Sequence, residues 1–135
     1  MKVLGIDLGE HRIGLAISDP LGIVARPLDT WDGRDKSGLI GRICNLVNRE
    51  KIETVVIGIP YRTDGKESQK VEDYKAVVYK LRERLNIPVE MENEMFTTVE
   101  AHEILRSKGI KERDRRNCID KTAAAVILQS WLDAH

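Results

Sequence analysis

Asp7 stands at a position where a carboxylate is costly. It lies in the segment Leu4-Gly5-Ile6-Asp7-Leu8-Gly9, whose other side chains are apolar or absent. An ionised carboxylate in such a strand must be hydrogen-bonded, paired with a charge or bound to a cation, and the two glycines leave the backbone open to a ligand. An Asp at a strand end can also cap the following turn, so the position alone leaves both interpretations open.

Two further carboxylates occupy positions of the same kind. Glu94 follows a short predicted strand, at the edge where open α/β sheets place their ligands, although a solvated loop carboxylate fits this position equally well. Asp120 begins the last predicted helix, on the apolar face that it shares with Ala124, Ile127, Leu128 and Trp131. Capping of that helix also explains Asp120, but Asn117 or Asp114 could cap it instead.

The chemistry depends on whether these three carboxylates converge. Clustered carboxylates raise one another's pKa unless a cation lies among them, and carboxylate oxygens are the usual protein ligands of Mg²⁺. Two such ions about 3.5–4 Å apart can hold a phosphodiester, with water activated on one side and the leaving oxygen stabilised on the other. Convergence of Asp7, Glu94 and Asp120 would therefore indicate phosphodiester hydrolysis.

The elements that must position these residues follow from the hydrophobic pattern. The sequence predicts strands over 3–8, 13–18, 23–28, 54–59 and 87–91, and helices over 36–50, 67–85, 97–109 and 119–135. Asp35 is expected to cap the first helix, and Thr97 with Glu100 to form a capping box for the third. We expect polar loops over 29–35 and 111–116. Three meandering strands followed by alternating helices and strands predict a mixed five-stranded sheet with helices on both faces, an α/β fold.

Length and composition exclude several classes of protein. The chain has 135 residues, no formal net charge, a hydrophobic fraction of 41% and a charged fraction of 33%. These values predict a single domain over 1–135 and exclude a disordered chain or a two-lobed kinase. The absence of net positive charge removes the simplest argument for a nucleic-acid partner. With no signal peptide or 20-residue apolar stretch, the sequence predicts a soluble cytoplasmic protein. Cys44 and Cys118 lack zinc-ligand spacing and are expected to be buried free thiols.

Several motifs together resemble one family over nearly the whole chain. They are Gly5-Ile6-Asp7-Leu8-Gly9 with Arg12-Ile13-Gly14-Leu15-Ala16 and Ser18-Asp19, Val56-Ile57-Gly58-Ile59-Pro60 with Asp64-Gly65, Glu94 with Thr97-Thr98 and Ala101, and Asp120 with Ala123-Ala124, Ile127-Leu128-Gln129 and Trp131-Leu132. Their types and order resemble the YqgF/RuvX family, assigned as Holliday junction resolvases and as nucleases that process the 5′ end of pre-16S rRNA. One segment departs from the family pattern: Asn93-Glu94-Met95 stands where the family usually has Asp-Glu-Arg.

The resemblance implies a fold, an activity and a site. It implies an RNase H-like nuclease domain, a hydrolase acting on ester bonds, in which Asp7, Glu94 and Asp120 are catalytic and bind Mg²⁺ or Mn²⁺. The implied substrate is structured nucleic acid, a four-way DNA junction or precursor rRNA, and the chain would be a monomer or a homodimer. The Asn93 and Met95 departure permits a second hypothesis, a catalytically weak binding module that acts on a ribosome-assembly intermediate.

Basic residues at segment ends are candidates for phosphate contacts in such a nucleic-acid complex. They are Arg12, Arg62, Lys66, Lys111, Arg113, Arg115 and Arg116. A solvated charged loop also explains the run over 111–116, because Glu112 and Asp114 dilute its charge. A third hypothesis, a single-lobe actin-like phosphotransfer domain, rests on Gly5-Ile6-Asp7-Leu8-Gly9 alone, since two lobes would need a longer chain.

Overall fold

The fold was analysed with a computed structural model, which describes residues 1–61, 64, 68–94 and 97–135, with Thr98 described by its backbone alone. The strands are β1 (Val3–Asp7), β2 (Arg12–Ser18), β3 (Ala25–Asp32), β4 (Thr54–Ile59) and β5 (Val89–Asn93). The helices are α1 (Leu39–Glu50), α2 (Gln69–Arg84), α3 (Thr97–Ser107) and α4 (Ile119–Ala134), with a 3-10 helix over Glu112–Asn117 before α4. None of the described helices is long and apolar enough to cross a membrane.

The five strands form one mixed sheet in the order β3-β2-β1-β4-β5. The first three strands are an antiparallel meander, whereas β4 pairs in parallel with β1 and β5 pairs in parallel with β4. All six residues of β4 are buried, as expected for a central strand covered on both faces. The predicted α/β class, the five-stranded mixed sheet and its initial meander are therefore confirmed.

Two hydrophobic cores, one on each face of the sheet, follow from the alternation of side chains along the strands. One core joins the sheet to α1 and α2 and includes Leu4, Ile6, Ile57 and Leu81. The other joins the sheet to α4 and includes Val3, Val56, Ala124, Ile127 and Leu128. Because Val3, Gly5 and Asp7 alternate with Leu4 and Ile6 along β1, Asp7 belongs to the face that α4 covers.

The third strand differs most from its prediction. It begins at Ala25 because the Asp19 carboxylate accepts hydrogen bonds from the backbone N–H groups of Ile23 and Val24, at 2.7 and 2.9 Å, and turns the chain there. The strand then continues to Asp32, through residues predicted as a loop. Pro27 is accommodated because β3 is an edge strand whose register with β2 shifts between Leu15 and Ala16.

Three smaller predictions near helix starts are also wrong. The first helix begins at Leu39 after Gly38, since the Asp35 carboxylate accepts a hydrogen bond from Ser37 N–H and forms a turn outside the helix. Thr97 is the first residue of α3 and its hydroxyl donates to the Glu94 carbonyl, so it does not form the predicted capping box. The segment 111–116, predicted as a loop, is largely the 3-10 helix.

The two cysteines are free thiols, as predicted. Cys44 is buried in the core beneath α1, where it packs as a small apolar side chain. Cys118 is half-buried at the start of α4, so its predicted burial is only partly correct.

Candidate active site

Asp7 ends β1 between two glycines on the neighbouring strands. It pairs across the antiparallel register with Gly14 of β2, and the parallel register with β4, whose last pair is Ile6 with Ile57, places Gly58 on its other side. Two adjacent positions without side chains leave a depression around the Asp7 carboxyl group. The other two predicted carboxylates enter this depression from its two sides.

Glu94 enters over Gly58. Its backbone N–H donates to the Ile59 carbonyl at 3.2 Å, which fixes it directly beyond the end of β5. A Cβ added to Gly58 would lie 3.0 Å from Oε2 of Glu94 and 2.5 Å from Cδ1 of Ile127. Gly58 is therefore the residue that lets the Glu94 carboxylate lean back over the sheet towards Asp7.

Asp120 enters over Gly14. A Cβ at Gly14 would collide with the backbone carbonyl oxygen of Asp120, so the first turn of α4 lies directly on the strand. The Asp120 side chain is 27% exposed, and its Oδ2 lies 3.7 Å from Nη1 of Arg12. The same Nη1 donates to the Arg116 carbonyl at 2.8 Å, so Arg12 ties the start of α4 to the end of the 3-10 helix.

The electrostatics of the site show that Asp7 and Glu94 act as a pair. The pKa of Asp7 is raised to about 8, first by burial, then by the charge of Glu94 and by the hydrogen bond between the two carboxyl groups, with a smaller effect of Asp120. The pKa of Glu94 is also raised by burial, while the hydrogen bond from Asp7 and the charge of Lys70 lower it. One proton is thus shared between Asp7 and Glu94, as expected for two carboxylates that cannot both ionise without a cation.

The site has the donor chemistry of a divalent-cation site. Its donors are hard carboxylate oxygens, which Mg²⁺ and Mn²⁺ prefer, and the proton held between Asp7 and Glu94 lies where a cation would relieve the same repulsion. Within the described part of the chain, no three His, Cys, Asp or Glu side chains are spaced as ligands of one metal ion. The arrangement is therefore a close pair with Asp120 beside it, and it is the donor chemistry of the Asp7–Glu94 pair that fits a metal ion.

Four of the other predicted contact residues line one cleft that begins next to Asp120. An open cleft of about 730 Å³ is lined by His102, Lys111, Glu112, Arg113, Arg115, Arg116 and Ile119. Arg115 is partly committed to the fold, because its Nε donates to the Ile110 carbonyl at 3.1 Å. Lys111, Arg113 and Arg116 are exposed. Arg62 and Lys66 lie outside the described residues.

Four residues at the site were missed by the sequence analysis. Gly58 and Gly14 were quoted only as motif members, although a glycine inside a buried strand is a recognised sign of close approach. Lys70 and Tyr74 lie on α2, where helical spacing alone places Tyr74 among the apolar residues that face the core. The hydroxyl of Tyr74 is buried without a partner among the described residues. Helical spacing predicts neither this burial nor the effect of the Lys70 charge on the pKa values of Asp7 and Glu94.

Solved structures with the same fold include two resolvases. The RuvC structure of Thermus thermophilus matches with a TM-score of 0.62 at 21% identity, covering 99% of this chain and 95% of that one. The fowlpox virus resolvase in complex with Holliday junction DNA matches with a TM-score of 0.60 at 13% identity, covering 99% and 98%. At such identities the likeness concerns the fold, and it confirms the predicted RNase H-like fold.

Sequence relatives extend over the whole chain. A relative from Dictyoglomus turgidum is 40% identical over 134 residues, covering 99% of this chain and 95% of its own length. Another, from Syntrophus aciditrophicus, is 42% identical over 134 residues, covering 99% and 89%. The names of both assign them provisionally as pre-16S rRNA nucleases.

The family model described as "RuvX: Holliday junction resolvase" matches residues 1–134. The family and the two relatives are nucleases, so the predicted enzyme class, a hydrolase acting on ester bonds, is confirmed. The resemblance predicted from the motifs is confirmed as well: this chain belongs to the RuvX family.

Proposed function

We propose that the chain is a divalent-metal-dependent endonuclease whose active site is formed by Asp7, Glu94 and Asp120. The observation that supports it best is the Asp7–Glu94 pair, two half-buried carboxyl groups that share a proton at the edge of the sheet. Such a pair is costly to keep and contributes little to a core. A perturbed carboxylate pair in an open depression is more typical of a functional site.

Each residue has a distinct part in this proposal. Asp7, which ends β1 between the two flanking strands, would release the shared proton to solvent when a cation binds. Its carboxylate would then be a ligand of that cation beside Glu94 and Asp120. Asp7, Glu94 and Asp120 would hold Mg²⁺ or Mn²⁺, which would supply activation of the attacking water and stabilisation of the leaving oxygen. Asp120 keeps its place because Gly14 supports its backbone and Arg12 pairs with its side chain.

The proposed substrate is structured nucleic acid. Lys111, Arg113 and Arg116 line the cleft next to Asp120 and would hold the phosphate backbone without reading its sequence. Arg12, Arg115, Arg62 and Lys66 complete the proposed contact set. Two substrates follow from the family and its relatives: a four-way DNA junction and the 5′ precursor region of 16S rRNA. A single nuclease domain over 1–135, as a monomer or homodimer, is the form in which we expect it to act.

A cleavage assay tests the proposal and separates the two substrates. The protein is incubated with Mg²⁺ or Mn²⁺ and either a synthetic four-way DNA junction or a precursor 16S rRNA fragment. The variants are Asp7→Asn and, as a matched control, Glu103→Gln, an exposed carboxylate on α3. We expect the wild type to cleave one of the two substrates, and to do so only when the metal is present. This cleavage should be abolished in Asp7→Asn and unchanged in Glu103→Gln.

Three results would contradict the proposal. Binding without cleavage of either substrate would favour the binding module that the Asn93 and Met95 departure permits. Cleavage that persists in Asp7→Asn would show that the active site lies elsewhere or that a contaminating nuclease is present. Hydrolysis of ATP without nuclease activity would favour the phosphotransfer domain.

A further inference from the structure

Two cations lie close to the carboxylates, and they differ in what they already bind. Arg12 is engaged on one side of β1, with the Asp120 carboxylate at 3.7 Å and the Arg116 carbonyl at 2.8 Å. Lys70 lies in the first turn of α2. This helix follows β4 in the chain and packs on β4 and β5, the two strands on the side of β1 opposite to β2 and Arg12. Its charge lowers the pKa of both Asp7 and Glu94. Among the described residues, no hydrogen bond or ion pair engages its ammonium group.

The Lys70 ammonium lies near an aromatic ring of the same helix. The ammonium lies 5.7 Å from the centroid of the Tyr74 ring, one turn along α2, a distance at which the ring attracts a cation. Tyr74 is only 4% exposed and belongs to the core beneath the sheet, so the ring is a rigid support. Lys70 is itself exposed, so the N–H donors of its ammonium group face solvent while the Tyr74 ring lies beside them.

The same corner carries two further features that favour an anion. The start of α2 is capped by Ser68, whose Oγ accepts from Val71 N–H at 3.3 Å, and the N-terminal end of a 16-residue helix is its positive end. The Tyr74 hydroxyl is buried with no partner among the described residues. A buried polar group without a partner is rare and often marks a functional site.

We propose that Lys70, supported by the Tyr74 ring, binds a phosphate group of the nucleic-acid substrate beside the carboxylates, on the side of β1 away from Arg12. An acidic site repels a polyanion, and a compact ammonium group that no described residue engages by a hydrogen bond or ion pair offsets that repulsion at short range. Arg12 lies on the other side of β1, and its guanidinium already contacts the Asp120 carboxylate and the Arg116 carbonyl. It is therefore less available than Lys70 to bind a phosphate group. The role of Lys70 rests on the proposed function, since it concerns the substrate of that site.

Binding experiments without metal test this role separately from cleavage. The affinity of the protein for a four-way DNA junction and for a precursor 16S rRNA fragment is measured in EDTA over a range of salt concentrations. The variants are Lys70→Gln, Lys70→Arg and the matched control Lys80→Gln, which removes the same charge from an exposed position ten residues further along α2. Urea unfolding of each variant accompanies the binding data.

Lys70→Gln is expected to bind about three- to tenfold more weakly at about 0.1 M salt. Its plot of log affinity against log salt should be shallower by about 0.7–0.9, the contribution of one phosphate contact. Lys70→Arg should restore most of the affinity, and Lys80→Gln should match the wild type. With metal present, Lys70→Gln should raise KM more than it lowers kcat.

Equal losses in Lys70→Gln and Lys80→Gln would overturn the inference, because binding would then follow net charge rather than this position. An unchanged salt slope in Lys70→Gln would overturn it too. If the wild type binds nucleic acid but cleaves nothing, the proposed nuclease fails while the binding data still decide the role of Lys70. A wild type that binds neither probe would overturn both.

Discussion

Replacing Asp7 by Asn should stabilise the metal-free protein, and increasingly so as the pH rises. The folded pKa of Asp7 is about 8, against an ordinary value of 3.8, so the folded state binds this proton more tightly than the unfolded state. The stability that the proton confers is present in full below about pH 4 and is lost as the pH rises towards 8. Asn cannot ionise and retains an N–H donor for Glu94, so it keeps the hydrogen bond without this loss.

The expected gain in the free energy of unfolding follows from the pKa shift of Asp7. A difference of about four pH units at about 1.4 kcal/mol each sets a ceiling near 6 kcal/mol. Relaxation and water entry around a half-buried pair should reduce the measured gain to about 2–3 kcal/mol. Urea unfolding of the wild type and Asp7→Asn in EDTA, at intervals from pH 4 to pH 8, gives this difference directly. Glu103→Gln serves as the control for removal of one exposed carboxylate.

Divalent metal should reverse the order of stability. Metal that binds only the folded wild type adds about 2.7 kcal/mol at a hundredfold excess over its Kd, whereas Asp7→Asn lacks a ligand and should gain little. The reasoning is refuted if Asp7→Asn is no more stable than the wild type in EDTA at pH 8, or if the difference does not grow with pH. Either result would mean that Asp7 and Glu94 do not compete for one proton.

Three further substitutions test separate parts of the site. Gly58→Ala should displace the Glu94 carboxylate and lower metal affinity about 10- to 100-fold, as measured by calorimetric titration, whereas Gly41→Ala, where an added Cβ meets nothing within 4 Å, should leave it unchanged. Tyr74→Phe should raise the free energy of unfolding in EDTA by about 1 kcal/mol, because it removes a buried hydroxyl without a described partner; a clear loss would reveal a partner. Arg12→Gln should change that free energy by less than about 1 kcal/mol, since its ion pair is 43% and 27% exposed; a larger loss in urea melts would make it a structural anchor.

The strands and helices whose bounds depend only on the burial of apolar side chains were predictable from the sequence. The all-buried run of β4 and the long helix α2 follow directly from their apolar spacing. The start of β3 did not, because it depends on the Asp19 carboxylate, whose hydrogen bonds to Ile23 and Val24 form a turn inside an apolar stretch. Local side-chain bonds of this kind compete with strand pairing and leave no trace in the hydrophobic pattern.

The acidic residues of the site were predictable from the sequence, but the packing that brings their carboxyl groups together was not. Asp7 drew attention because it interrupts an apolar strand, and the resemblance added Glu94. The closeness of these two carboxyl groups depends on the register between β1 and β4 and on the missing side chain of Gly58. The influence of Lys70 arises from a helix about 60 residues along the chain, and only the packing of α2 reveals it.

The contact between Gly14 and Asp120 constrains the start of α4 more tightly than the 3-10 helix before it. The two segments should therefore tolerate substitution to different degrees. Because the backbone of Asp120 rests directly on β2, the position of its backbone is set by the sheet, while the 3-10 helix contributes through the Arg116 carbonyl that binds Arg12. Under the proposed function, changes of charge within Glu112–Asn117 should therefore alter the affinity for nucleic acid while the backbone of Asp120 stays on β2. Relatives that share the carboxylates are expected to differ in this segment first, so substrate choice and bond cleavage can diverge independently within one fold.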